Sequence, residues 1–296
     1  MKKCVFTGSA VALVTPMNRD GSVNYEVLNK LIDFHVSHGT EAIVVCATTG
    51  ESPTLTDEEH CKVVETVVRR VNKRIPVIAS SGSNDTRQAA EVSKAMQDIG
   101  ADALLMITPY YNKTSQIGLV KHFYYVADRV NLPIILYNIP SRTGMKIQPE
   151  TYAELAKHPN IAGTKEATGD LALAAKTAAL CGDNLTIYSG EDNLTLPILS
   201  IGGKGVISTT ANVIPKEMDD ICRLYFSGNF TESRRIFLKY LELMNALFVD
   251  VNPMPVKAAM NLIGWNCGGC RLPLTEVSAE TKEFLHRTMQ KYNLLG

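Results

Sequence analysis

Six residues in this sequence are of types, and at positions, that could do covalent chemistry on a carbonyl compound. Lys165 closes the apolar run Ile161-Ala162-Gly163-Thr164. Burial of a lysine favours its neutral amine, the form that adds to a ketone and gives an iminium. A strand-end lysine reaching solvent fits the same position equally well. Tyr137 ends the preceding apolar run and Tyr111 follows the one before that. Phenol hydroxyls there could relay protons, or belong to rim aromatics facing water. Thr48-Thr49-Gly50 offers hydroxyls and backbone N–H groups to a carboxylate, although alone it is also a polar turn. Arg142, just after Pro140, could hold a second carboxylate through two parallel N–H bonds, or sit in a surface ion pair.

The elements around these residues must bring them together. Short apolar, β-branched runs recur at Ala10–Val14, Ala42–Cys46, Pro76–Ser80, Ala103–Ile107, Pro133–Tyr137, Ile161–Lys165, Leu185–Tyr188 and Gly205–Ser208. Amphipathic stretches alternate with them, among them Asp57–Val71, Thr86–Ile99, Leu119–Val130, Pro149–Lys157 and Leu171–Leu180. Thr56, Asp85 and Thr151 are expected at helix starts, and Gly39, Gly100 and Gly182 as left-handed terminators. Runs apolar throughout predict parallel strands covered on both faces. Eight βα units closing on themselves predict an α/β fold, a (β/α)8 TIM barrel, over residues 1–228. The rival is an open doubly wound sheet, but Thr15-Pro16 follows the first run where that fold places G-x-G-x-x-G. Beyond residue 228 the alternation stops. Phe230–Val251 and Ser278–Leu295 predict a C-terminal helical appendage over residues 229–296.

Active sites of such barrels lie at the C-terminal ends of the strands. That rule keeps all six residues above. It removes Gly202-Gly203-Lys204-Gly205, which precedes its strand and is expected to be a tight turn rather than a phosphate loop. The six histidines fall within helices or at their ends, so no strand-end zinc set is expected and a metal mechanism is disfavoured.

Thirty Lys+Arg balance thirty Asp+Glu, which leaves no electrostatic footprint for nucleic acid or an anionic membrane. Seven scattered cysteines, an odd number, suit reduced thiols in the cytoplasm rather than a disulfide framework. Cys267-Gly268-Gly269-Cys270 has no second pair to complete a zinc site and is expected to be a loop. Lys2-Lys3 followed by an apolar stretch imitates a signal peptide, but Thr7-Gly8-Ser9 interrupts it. No run approaches the ~18 apolar residues of a membrane span. A soluble, cytoplasmic protein is expected.

Taken together, Thr48-Thr49-Gly50-Glu51, Tyr110-Tyr111-Asn112, Tyr137-Asn138-Ile139-Pro140-Ser141-Arg142-Thr143-Gly144, Lys165-Glu166-Ala167 and Gly205-Val206-Ile207-Ser208 form a specific motif set. It resembles that of the pyruvate-dependent class I aldolases of the N-acetylneuraminate lyase superfamily. The similarity runs from Phe6 to Pro273, nearly the whole chain. Within the superfamily the chain is similar to the branch that condenses pyruvate with aspartate semialdehyde for lysine and diaminopimelate synthesis. The resemblance implies that Lys165 forms a Schiff base with pyruvate and that Tyr137, Thr48 and Tyr111 relay protons, Tyr111 from a neighbouring subunit. It implies that Thr49 with Thr48 holds the pyruvate carboxylate, that Gly190 and Ile207 line its pocket, and that Arg142 receives the carboxylate of the aldehyde. It further implies no cofactor and a homo-oligomer, typically a tetramer built as a dimer of dimers. The nearest alternative is a neuraminate lyase or keto-deoxy sugar acid aldolase. Neuraminate lyases usually carry Ser-Thr where Thr48-Thr49 stands here, and lack the counterpart of Arg142. A non-catalytic ligand-binding barrel is the alternative of another class, and intact Lys165, Tyr137 and Arg142 argue against it.

The same resemblance implies an effector site for lysine between subunits, at Ser52, Leu55, His60, Asn84, Gln88 and Tyr110. Lysine-sensitive relatives carry glutamate where this chain has Gln88. A neutral amide cannot neutralise a partly desolvated ammonium, so weak inhibition or none is expected.

Overall fold

The computed structural model describes residue 2 and residues 4–295; Lys3 of the Lys2-Lys3 pair lies outside the described residues. Among the described residues eight strands form: β1 (Gly8–Ala12), β2 (Ala42–Val45), β3 (Val77–Ser80), β4 (Ala103–Ile107), β5 (Ile134–Asn138), β6 (Ile161–Glu166), β7 (Thr186–Ser189) and β8 (Gly205–Ser208). They pair in parallel in chain order, and β8 closes on β1, giving the expected barrel. The side-chain period of two splits the apolar residues into two cores. Ala10, Ala12, Val44, Ile78, Leu105 and Tyr188 fill the lumen. Val11, Ile43, Val45, Leu104 and Leu136 pack outward beneath the helices. Among the described residues no helix is long and apolar enough to cross a membrane.

Local chemistry fixes the helix ends. Thr56 and Glu59 form a reciprocal capping box at the start of helix Asp57–Val71, and Asp85 accepts from the N–H groups of Arg87 and Gln88 at the start of helix Thr86–Ile99. Gly39 and Gly100 have the expected positive φ, 82° and 103°. Gly182 departs from expectation: its φ of 51° comes with ψ −138°, so it turns the chain away instead of closing a left-handed cap. Thr151 does not open its helix either. Pro149 does, since a first-turn proline loses no needed N–H, and Thr151 donates to Gln116 Oε1 at 2.6 Å. The helix expected at Leu119 begins at Gln116, because Ser115 caps it by accepting from the Gly118 N–H. β1 begins and ends two residues early, since Val14 N–H leaves the ladder to donate to Asn212 Oδ1.

The C-terminal region also differs from expectation. The long helix runs over Phe230–Ala246 and stops short of Val251. A further helix, Met254–Leu262, forms where the prolines suggested only a turn; Pro255 sits in its first turn. Helix Ala279–Lys291 follows. Leu243, Met260 and Leu285 join the same core as the barrel–helix layer.

One irregularity decides where β6 points. Ile134 of β5 faces Ile161, but Ile135 faces Gly163, so Ala162 is an extra residue in β6. Ile161 belongs to the outer core. A Cβ on Gly163 would instead meet the ring of Tyr188 in the lumen, at 3.4 Å. The bulge has shifted the alternation by one residue, the usual consequence of an inserted residue. Gly163 and Lys165 therefore face inward, while Thr164 and Glu166 face the helices.

Candidate active site

At the C-terminal ends of the strands the barrel opens into a cavity of about 620 Å³. Its wall includes Lys165, Tyr137, Arg142, Thr49 and Gly190, five of the eight residues expected to act on or bind substrate. Lys165 is 4% exposed, opposite Tyr137 in register, and its Nζ lies 4.5 Å from the Tyr137 ring centroid. Position in the sequence alone leaves a solvent-reaching lysine open; the inward phase of β6 excludes it. Three residues stand off the cavity wall. Ile207 lies in the lumen core. Thr48 is half-buried, one residue before Thr49. Tyr111 is 91% exposed and points its ring to solvent in the single chain.

Glu166, next to Lys165, faces the other way. Its carboxylate accepts from Thr168 N–H at 2.9 Å and meets Asn138 Nδ2 and the Tyr152 hydroxyl at 3.4 Å. Tyr152 also joins Thr164 Oγ1 at 2.9 Å. Burial pushes the Glu166 carboxyl above the ordinary carboxylate range, against these hydrogen bonds. The network grips both outward residues of the strand end and so fixes Lys165 from behind.

Two residues on the cavity wall go unmarked in the sequence. Asp192 lies on the cavity wall, and one of its oxygens accepts from Thr209 N–H, Thr210 N–H and Thr210 Oγ1 at 3.2, 2.9 and 2.8 Å. Burial raises its carboxyl above the usual range; hydrogen bonds from Ser208 and Thr210 and the charge of Lys165 oppose that shift. Asp192 lies three residues past the end of β7, where no motif marks it. Asn252 joins two substrate-binding candidates: its Nδ2 donates to Thr49 Oγ1 at 3.0 Å, and its carbonyl accepts from Arg142 Nη2 at 2.9 Å. No periodicity marks it, because it lies in an irregular stretch between helices. Lys257, also missed, is buried against Glu51 at 2.7 Å and lies outside the cavity wall.

The six effector candidates come from three neighbouring βα units. Ser52 and Leu55 follow β2, His60 lies in the next helix, Asn84 and Gln88 follow β3, and Tyr110 follows β4. Burial holds the His60 imidazole below its ordinary pKa, and its Nε2 has no hydrogen-bond partner among the described residues. Ser83 Oγ donates to Gln88 Oε1 at 2.7 Å.

A closed (β/α)8 barrel with a buried lysine beside a tyrosine at its mouth defines the class, an aldolase-type lyase barrel. A sequence model of the dihydrodipicolinate synthetase family matches residues 5–292, and the chain belongs to that family. It is 51% identical to a 4-hydroxy-tetrahydrodipicolinate synthase of Clostridium perfringens over 98% of this chain and 100% of the relative. A solved dihydrodipicolinate synthase from Cyanidioschyzon merolae, described with lysine bound, superposes with a TM-score of 0.96 at 41% identity, covering 99% of this chain and 100% of the other. A monomeric dihydrodipicolinate synthase variant superposes with the same TM-score at 40% identity, covering 98% of each chain.

Gly190 shows how tightly the lysine is packed. A Cβ there would lie 2.7 Å from Ala167 Cβ, 2.9 Å from Glu166 O and 3.0 Å from Lys165 Cγ. Gly190→Ala is expected to displace the lysine stem and lower turnover roughly 10- to 100-fold, the scale of a sub-ångström to ångström misplacement. Steady-state rates compared with an unchanged circular dichroism spectrum check this. Wild-type turnover in the variant would show that the strand ends yield without moving Lys165.

Proposed function

We propose that this chain is a 4-hydroxy-tetrahydrodipicolinate synthase, condensing pyruvate with aspartate semialdehyde through a Schiff base on Lys165. The observation that carries the reading is the buried lysine beside Tyr137, in one cavity with Thr49 and Arg142. Lys165 Nζ adds to the keto carbon, and loss of water gives an iminium. The iminium draws electrons from the methyl carbon, which loses a proton and becomes the enamine nucleophile. A carbon–carbon bond forms to the aldehyde. The amino group of the aldehyde partner then attacks the iminium carbon, releases Lys165 and closes the ring. Thr49, with Thr48, holds the pyruvate carboxylate, Arg142 holds that of the aldehyde, and Gly190 and Ile207 shape the pyruvate pocket. Arg142 and the paired threonines favour this reading over a sugar acid aldolase.

Tyr137, Thr48 and Tyr111 form the proposed proton relay, which a single chain leaves incomplete. A second copy supplies Tyr111. Its ring is fully presented and its backbone holds a φ of +67°, an arrangement uncommon for a tyrosine. Two such dimers make the proposed tetramer. The compartment is cytoplasmic, supported by seven cysteines that are all free.

Removing Arg142 should separate the two substrates. A charge-assisted contact contributes about 1.5–3 kcal/mol, so Arg142→Ala should weaken use of aspartate semialdehyde at least roughly 10- to 100-fold while the pyruvate requirement changes little. Steady-state kinetics with each substrate varied in turn checks this, and equal damage to both would assign Arg142 a structural role. Mixing Tyr111→Phe with Lys165→Ala subunits should restore activity in hybrid dimers, because one of the two sites then carries both intact groups. Verified hybrids with no activity would rule out a shared site. Lysine should inhibit weakly: Gln88 offers no charge, and its amide oxygen already accepts from Ser83. A titration at saturating pyruvate decides it, and half-inhibition at lysine below about 1 mM would contradict the loss of roughly 10- to 100-fold expected from a missing charge-assisted contact.

A further inference from the structure

The C-terminal region reaches back to the loop after β2 through a buried ion pair. Lys257 Nζ donates to Glu51 Oε1 at 2.7 Å, Thr15 O at 3.1 Å and Gly269 O at 2.5 Å, so its three N–H groups are all used. The side chains are 2% and 1% exposed. The other oxygen of Glu51 accepts from Arg271 N–H at 2.9 Å. Such a pair is weak evidence of stabilisation, since desolvating both charges offsets most of their attraction and apolar residues of similar size often serve as well. Its location gives it another use.

Glu51 has a φ of +57°, a left-handed backbone that a glutamate rarely adopts, and it lies two residues after Thr49. Gly50 between them is equally confined. Its carbonyl accepts from Thr15 Oγ1 at 2.7 Å, and a Cβ would lie 3.1 Å from Cys46 and Leu13 backbone atoms. The turn that presents Thr48 and Thr49 is thus held from its C-terminal side by one carboxylate, which the C-terminal region holds in turn.

We propose that the Lys257–Glu51 pair is a positioning element for pyruvate, setting the turn so that Thr48 and Thr49 meet the pyruvate carboxylate. This rests on the function proposed above. Neither residue touches substrate; both act through the threonines. The pair should govern pyruvate affinity and leave the aldehyde site, built on Arg142, nearly untouched.

Lys257→Met and the double variant Glu51→Gln/Lys257→Met test it. The single variant leaves a buried carboxylate without its cation and is expected to melt earlier. The double variant removes both charges and keeps the fold. Borohydride reduction of each protein over a range of pyruvate concentrations reads pyruvate affinity without the aldehyde, and steady-state kinetics reads the rest. The double variant should need about 10-fold more pyruvate for half-maximal labelling, with the aldehyde KM and the turnover at saturating pyruvate within about 3-fold of wild type. Faster hydrogen exchange over residues 48–55 should accompany it. A double variant with wild-type pyruvate dependence overturns the proposal, as does equal damage to turnover and both KM values. If neither variant folds, the pair is a requirement of the fold and the positioning role is refuted. Wild-type protein that pyruvate and borohydride do not label at all overturns the proposed function itself, a separate outcome.

Discussion

The phase of β6 is the constraint on which the site depends. One inserted residue, Ala162, turns Gly163 and Lys165 into the lumen and Thr164 and Glu166 outward. The neighbours of the strand are fitted to that phase. Gly163 leaves room for the Tyr188 ring, which stacks on Phe6 at 4.2 Å and fills the lumen, and Gly190 leaves room for the lysine stem. Tyr152, Asn138 and Thr168 bind the outward carboxylate of Glu166. A strand without the insertion would aim the lysine at the helix layer, away from the cavity.

A barrel open at one end still needs a wall. The stretch from Phe248 to Asn252, between helices Phe230–Ala246 and Met254–Leu262, supplies it. Asn252 meets Thr49 through its side-chain amide and Arg142 through its backbone carbonyl. Asp192 places a buried carboxyl on the wall of the cavity that holds Lys165, gripped by the Thr209 and Thr210 N–H groups.

Much of this is legible in the sequence because it rests on local rules. Continuous apolar runs place the eight strands to within two residues, and Thr56 and Asp85 cap as their types require. The strand-end rule keeps Lys165, Tyr137, Arg142 and Thr49 from their places in the chain, whereas Gly190 enters only through the family resemblance. What stays hidden is what depends on tertiary partners. The bulge at Ala162 is visible only in the pairing of β5 with β6. Asn252 and Lys257 act from more than 200 residues away in sequence, partners of Thr49 and Glu51 that no periodicity announces. Thr151 and Gly182 depart from expectation for the same kind of reason: a proline two residues earlier and a turn into the next strand override their intrinsic preferences.

We propose that the inward lysine of β6 is the nucleophile toward pyruvate. Reduction with borohydride in the presence of pyruvate, followed by digestion and mass analysis, addresses it directly. A reduced pyruvyl adduct is expected on the peptide carrying Lys165 and on no other lysine, with activity lost in proportion to labelling. An adduct on a different lysine, or full activity after complete labelling, would contradict the account.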